Sequence, residues 1–355
     1  MWWYIMNSEQ AKVVPDEVQP ESTLPKLIAK VVPVLTEAQF VPPIDPNYVR
    51  YGNYEDVKLI IASRKFFPLW ITGLAGNGKT QMVEQACAEA GRGFIRLNFT
   101  METDENDLLG GDKLVEMNGV TVSEFMEGPV ITAMRLGLVL LLDEVDAGHT
   151  NKILCLQSVL EGKGVFLKRT GEWVKPTKGF QIFTTSNTKG RGSEDGSFLG
   201  TQIMNKAFLD RIAGMIFQDY PDEEVEKKIL NNYFVEEMWG DYEDLSQIPV
   251  AQASIGKDFI ENLCKWATAI RKIYASNGIS EVVTTRTLIN IVKAYSIFGN
   301  KRKAVTYACE RYPDEAKETF VSMYNKLDVA PDLGDPKVVP DQEDEVHMDF
   351  AQQNF

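Results

Sequence analysis

The octapeptide Gly73-Leu74-Ala75-Gly76-Asn77-Gly78-Lys79-Thr80 constrains this chain more than any other stretch. It follows an apolar run, Leu69–Thr72, and opens a helical pattern over Lys79–Ala90 that stops at Gly91. The spacing Gly-x-x-x-x-Gly-Lys-Thr makes a phosphate cradle. Glycines let backbone N–H groups converge on phosphate oxygens, and the helix N-terminus adds positive potential. Lys79 is the expected contact to the β- and γ-phosphates, and the Thr80 hydroxyl the expected Mg²⁺ ligand. Gly73 through Thr80, with Gln81 beside them, are therefore the expected nucleotide-binding residues. ATP with Mg²⁺ is the expected pair, although no residue type here reads adenine over guanine.

A loop of this kind belongs in a parallel α/β sheet, and the rest of the chain supplies one. Apolar runs at Leu69–Thr72, Phe94–Asn98, Gly137–Leu142, Phe180–Thr185 and Gly214–Gln218 alternate with helical patterns. Strands alternating with helices predict a parallel sheet covered on both faces. The run Leu138-Val139-Leu140-Leu141-Leu142 has no polar alternation, as a strand buried on both faces requires. Before the sheet, Val57, Ile60 and Ile61 share one face of a helix predicted over 53–66 and ended by Pro68.

Two insertions interrupt this plan. Lys113–Met117 and Val120–Glu124 flank Asn118-Gly119, a strong hairpin signal because both turn positions need positive φ. Val165–Arg169 and Trp173–Lys175 flank Thr170-Gly171-Glu172 as a second hairpin. Lys163, Lys168, Arg169, Lys175 and Lys178 surround it, as a solvated basic surface or as a pore lining.

The strand Leu138–Leu142 runs into Asp143-Glu144-Val145-Asp146. Acids at the carboxyl edge of a parallel sheet stand where ligands bind. Asp143 is the expected partner of Mg²⁺, and Glu144 the expected general base toward water. Asn187, after the fourth strand, is placed to position that water or touch the γ-phosphate. Arg211, before the fifth strand, and Arg286, in Thr284-Thr285-Arg286-Thr287, can stabilise charge developing in phosphoryl transfer, or serve as surface and salt-bridge arginines.

Composition excludes other classes. The net charge of −14 is unevenly spread: eight acids and one lysine between Asp328 and Phe355 carry half of it. Without a basic footprint, nucleic acid and membrane are not expected partners. Cys87, Cys155, Cys264 and Cys309 are scattered, which fits reduced, mostly buried thiols and a cytoplasmic location. With only His149 and His347 beside them, a zinc site is not expected. The apolar start, Met1 to Met6, is too short for a signal sequence.

Four segments follow. Residues 1–45 read as an irregular, proline-rich arm with a short helix near Leu27–Val34. Residues 46–220 form the α/β nucleotide-binding domain. Residues 221–327 form a small α-helical domain begun by Asp222-Glu223-Glu224 after Pro221. Residues 328–355 form an acidic, disordered tail.

The order of these signals resembles an AAA+ ATPase, and the two hairpins narrow the resemblance to the MoxR and helix-2-insert branch. Within that branch the chain is similar to the CobS family, the ATPase subunits of aerobic cobaltochelatase. The likeness is carried by Val41-Pro42-Pro43-Ile44-Asp45-Pro46-Asn47-Tyr48, by Asp107-Leu108-Leu109-Gly110-Gly111-Asp112 and Val122–Gly128 around the first hairpin, and by Ser186–Gly190, Gly200–Asn205, Leu209-Asp210-Arg211 and Thr284–Thr287. Leu74-Ala75 departs from the aromatic and histidine often present in the loop, and the resemblance assigns no role to the acidic tail or the Trp-rich start.

The resemblance implies a hexameric homo-oligomeric ring with nucleotide between subunits. Arg211 would act in trans as an arginine finger, and Arg286 would sense nucleotide from the helical domain. The implied partners are a subunit with a von Willebrand A-type domain and a large chelatase subunit, and the implied role is cobalt insertion into a tetrapyrrole. A MoxR-like remodeller of another client, a nucleotide-gated scaffold and a nucleic-acid motor are the competing readings.

Overall fold

The protein, a computed structural model, is described over residues 35–117, 119–192, 200–240 and 250–328. The expected helix near Leu27–Val34, Asn118 of the first turn and nearly all of the acidic tail lie outside these residues.

Five parallel strands form the central sheet: β1 (Leu69–Thr72), β2 (Phe94–Asn98), β5 (Val139–Asp143), β8 (Gln181–Ser186) and β9 (Gly214–Phe217), in the order β2-β5-β8-β1-β9. All residues of β5, β8 and β1 are buried, and the edges β2 and β9 are partly exposed. Uninterrupted apolar strands at the centre are what coverage on both faces requires. The alternation of side chains across a strand assigns each its layer. Val139, Leu141, Ile71 and Phe183 face α1 (Tyr54–Ser63) and α2 (Lys79–Glu89). Leu140, Leu142, Trp70 and Ile182 face the opposite layer, which holds α3 (Glu105–Leu109), α4 (Pro129–Leu136) and α5 (Gln157–Leu160).

Both hairpins are present, with altered lengths. The first pairs β3 (Gly110–Met117) with β4 (Val120–Glu127) over their full lengths, so each arm is eight residues rather than the five expected. It sits between α3 and α4 on the crossover from β2 to β5. The second pairs β6 (Val165–Leu167) with β7 (Glu172–Val174) over three residues each. Arg169 and Lys175 fall outside these strands because the Gly171 N–H donates to the Leu167 carbonyl and closes the turn early.

Other boundaries move for local reasons. Helix α1 ends at Ser63, where Arg64 takes a left-handed conformation and caps it, well before Pro68. Gly137 is the left-handed cap of α4, so β5 starts at Val139. Gln218 lies just past β9; its N–H still donates to the Thr72 carbonyl at 2.8 Å, and its side chain accepts hydrogen bonds from Asn53.

After α6 (Lys206–Leu209) and β9 the chain becomes helical: α7 (Glu223–Trp239), α8 (Val250–Ala275), α9 (Thr285–Phe298), α10 (Lys301–Cys309) and α11 (Asp314–Leu327). Asp222 caps α7 by accepting the Val225 N–H at 2.8 Å, and Glu223, Glu224 and Glu226 fill its positive first turn. Trp266, Phe259, Tyr295 and Phe320 centre a separate apolar core. Asp328 belongs to that core rather than to a solvated tail. It is 3% exposed, accepts the Tyr324 hydroxyl at 2.6 Å and pairs with buried Lys301. Burial with two partners outweighs the acidic composition that follows it. The four thiols are free; Cys87, Cys264 and Cys309 are buried, Cys155 partly so. Among the described residues no helix is long and apolar enough to cross a membrane.

Candidate nucleotide-binding site

The loop between β1 and α2 is held from three sides. The Asn77 amide, 1% exposed, donates to the Gln218 carbonyl beyond β9. Tyr51 donates its hydroxyl to the Asn77 carbonyl at 2.6 Å, and Tyr220 donates to the Ala75 carbonyl at 2.9 Å. This bracing explains two glycines. A Cβ on Gly73, at φ 148°, would overlap the Gln218 carbonyl; one on Gly78, at φ 76°, would lie 2.5 Å from the Tyr51 hydroxyl.

Lys79 begins α2 and is 8% exposed. Its ammonium donates to the carbonyls of Gly73 at 2.7 Å and Leu74 at 2.8 Å, and to the Asn77 and Asn187 side-chain oxygens at 3.3 Å each. Burial pushes its pKa down to about 8, opposed by the charges of Asp143, Asp146 and Glu144.

Asp143 ends β5 and is 3% exposed. It accepts the Thr80 hydroxyl at 3.0 Å and the Thr185 hydroxyl, and pairs with the Arg96 guanidinium at 2.5 Å. Glu144 follows in a left-handed conformation, φ 55°, with its N–H donated to the Thr185 hydroxyl at 3.1 Å. Such a backbone is uncommon away from glycine and is held here by its surroundings. Asp146, buried, accepts the Thr188 N–H at 3.1 Å and its hydroxyl at 2.8 Å, which fixes the segment carrying Asn187. Burial raises the pKa of the Asp146 carboxyl.

These groups line one cavity of about 380 Å³. Ala75 through Gln81, Asp143, Glu144, Asn187 and Arg286 all reach it, while Gly73 and Leu74 stand behind Lys79. Arg211 is not in it. Its guanidinium donates to Glu161 at 2.7 Å and to the Ala207 carbonyl.

The helical region closes the cavity through a chain of contacts that no local pattern announces. Tyr220, which touches the loop, lies under the Arg271 guanidinium at 4.1 Å from the ring centre. Arg271 grips the fully buried Glu226 with two bonds of 2.9 and 2.8 Å. Glu226 also accepts the Thr285 hydroxyl at 2.7 Å, beside Arg286. Tyr48, Tyr233, Ile289 and Lys293 add a further wall to the cavity. Thr185 and Arg96 are likewise absent from the sequence reading. The three consecutive hydroxyls Thr184-Thr185-Ser186 at the end of a fully buried strand were the available signal for the first.

The donor set suits Mg²⁺. Thr80 and Asp143 bring two hard oxygen ligands together. Among the described residues no group of three or more His, Cys, Asp or Glu side chains forms a metal cage. A magnesium site completed by phosphates and water needs no more than this.

A family model described as "AAA domain (dynein-related subfamily)" matches residues 68–203, the stretch from β1 past β8. That stretch, which carries the loop, Asp143, Glu144 and Asn187, is an AAA domain by this match. It is similar to aerobic cobaltochelatase subunit CobS of a Sinorhizobium species, 26% identical over 284 residues, which are 80% of this chain and 81% of that one. An uncharacterised protein of Staphylococcus saprophyticus is 25% identical over 281 residues, 78% of this chain and 95% of its own. Midasin of Dictyostelium discoideum is 30% identical over 177 residues, half of this chain but 3% of midasin's length. Three of the five basic residues around the second hairpin are paired: Lys163 with Glu161, Lys168 with Glu105 and Arg169 with Asp112.

Proposed function

We propose that this chain hydrolyses ATP as one subunit of an AAA+ ring, with Lys79, Thr80, Asp143, Glu144, Asn187 and Arg286 from one copy and Arg211 from its neighbour. The observation that carries this reading is the convergence of Lys79, the Thr80–Asp143 pair and Glu144 on one cavity. The loop N–H groups and Lys79 bind the β- and γ-phosphates. Thr80 and Asp143 would hold Mg²⁺, which would supply charge neutralisation at the phosphates. Glu144 accepts a proton from water as the water oxygen bonds to the γ-phosphorus. The bond from that phosphorus to the bridging oxygen breaks, and ADP leaves. Asn187 orients the water, and the arginines stabilise charge on the transferred group. The site between Tyr220 and α9 ties loop occupancy to the helical region.

Glu144→Gln is expected to keep nucleotide affinity and to lose turnover by about 10²–10⁴-fold. Equal turnover in wild type and variant would end the enzyme assignment.

For the client, the similarity to CobS favours ATP-driven cobalt insertion into a tetrapyrrole, with a von Willebrand A-type subunit and a large chelatase subunit as partners. Affinity capture from the native cell with Glu144→Gln tests this. Recovery of both partners supports it, and recovery of an unrelated protein alone favours a MoxR-like remodeller.

A further inference from the structure

Arg96 carries no assigned role, yet it touches the centre of the proposed site. It lies on the edge strand β2, in register with Leu141, two residues before Asp143 on β5. Its side chain is half exposed and lines the cavity, while the carboxylate it holds is almost fully buried. Lys79, Arg96, Arg286 and Lys293 are the cations lining this cavity. Among the described residues, Arg96 alone forms an ion pair with Asp143. Lys79 spends its donors on carbonyl and amide oxygens, and Lys293 pairs with Glu237.

A guanidinium and a divalent cation want the same thing from Asp143. A buried carboxylate without a counter-charge is costly, so a cation beside it is stabilising. A second cation brought to the same oxygens is repelled by the first. Thr80 and Thr185 also donate to the carboxylate that Arg96 holds.

We infer that Arg96 is a positioning residue that competes with the divalent cation for Asp143, and so sets how strongly nucleotide binding depends on metal. This rests on the nucleotide reading above. Two opposite effects follow from removing its charge. Metal-free nucleotide binds more weakly, because Asp143 then faces the phosphates with one counter-charge fewer. The divalent cation binds more tightly, because its competitor is gone.

The test is fluorescence binding of an N-methylanthraniloyl-ATP probe to the full chain, first in chelator and then along a Mg²⁺ titration. Mn²⁺ paramagnetic resonance provides a second readout, and neither depends on turnover. Arg96→Gln is expected to weaken metal-free binding and to lower the Mg²⁺ midpoint, each on the order of tenfold. Arg96→Lys, which keeps the charge, is expected to stay near wild type. A wild-type Mg²⁺ midpoint in Arg96→Gln would overturn the inference. So would an equal shift in Arg96→Lys, which would mean that shape rather than charge is responsible. If wild type binds no nucleotide in either condition, the ATPase reading itself fails.

Discussion

The two parts of the proposed site are built in opposite ways. The part made by the loop and the ends of β5 and β8 is buried and cross-braced. Lys79 and Asp143 are 8% and 3% exposed, and both are surrounded by partners from distant segments. Arg211 does not line that cavity, and its guanidinium is paired with Glu161. One fold can set the first part alone, because low exposure and many partners leave each group one geometry. An arginine outside the cavity, on the proposed reading, reaches a phosphate in a neighbouring copy. On this reading the ground state is shaped within a copy and the transition state between copies.

Substitutions can break this contrast. Arg211→Ala should leave nucleotide affinity near wild type and reduce turnover by about 10³-fold or more, the usual worth of an arginine finger. Comparing the dissociation constant with the turnover number checks it. Lys79→Ala should act the other way round, on binding first. Loss of a buried, charge-assisted donor costs about 1.5–3 kcal/mol, on the order of 10–100-fold in affinity. Titration calorimetry reads it directly.

The smallest effect is one of pH. Burial holds Lys79 at about 8, and its protonated form is the one that binds phosphate. Affinity should therefore be full below that value and fall as pH climbs through it, while bound phosphate draws the pKa upward. Nucleotide titrations on both sides of pH 8 test the slope, which Lys79→Ala should abolish. A slope that survives in the variant would assign the titration to another group.

Much of the fold was legible because local patterns sufficed. Five apolar runs gave five strands, and Gly73 to Gly78 fell between β1 and α2, with Lys79 and Thr80 opening the helix as expected. Asp143 was readable because a buried strand ends on it. The boundaries that moved depended on single backbone angles, as at Arg64 and Gly137. The unread residues are bound to partners far away in the chain. Thr185 meets Asp143 across 42 positions, Tyr220 meets Ala75 across 145, and Arg271 meets Glu226 across 45. No periodicity encodes such pairs, and Arg96 looks like any arginine on an edge strand. Asp328 shows the reverse case, where an acid-rich neighbourhood hid a buried residue.

The central claim is that a working site needs two copies of the chain. Mixing Arg211→Ala protein with Lys79→Ala protein and measuring ATP turnover tests it most directly. Each variant alone should be nearly inactive. The mixture should regain a small but clear activity, because some interfaces then join an intact loop to an intact arginine. Full turnover by Arg211→Ala alone, or a mixture no more active than its two components, would contradict the account.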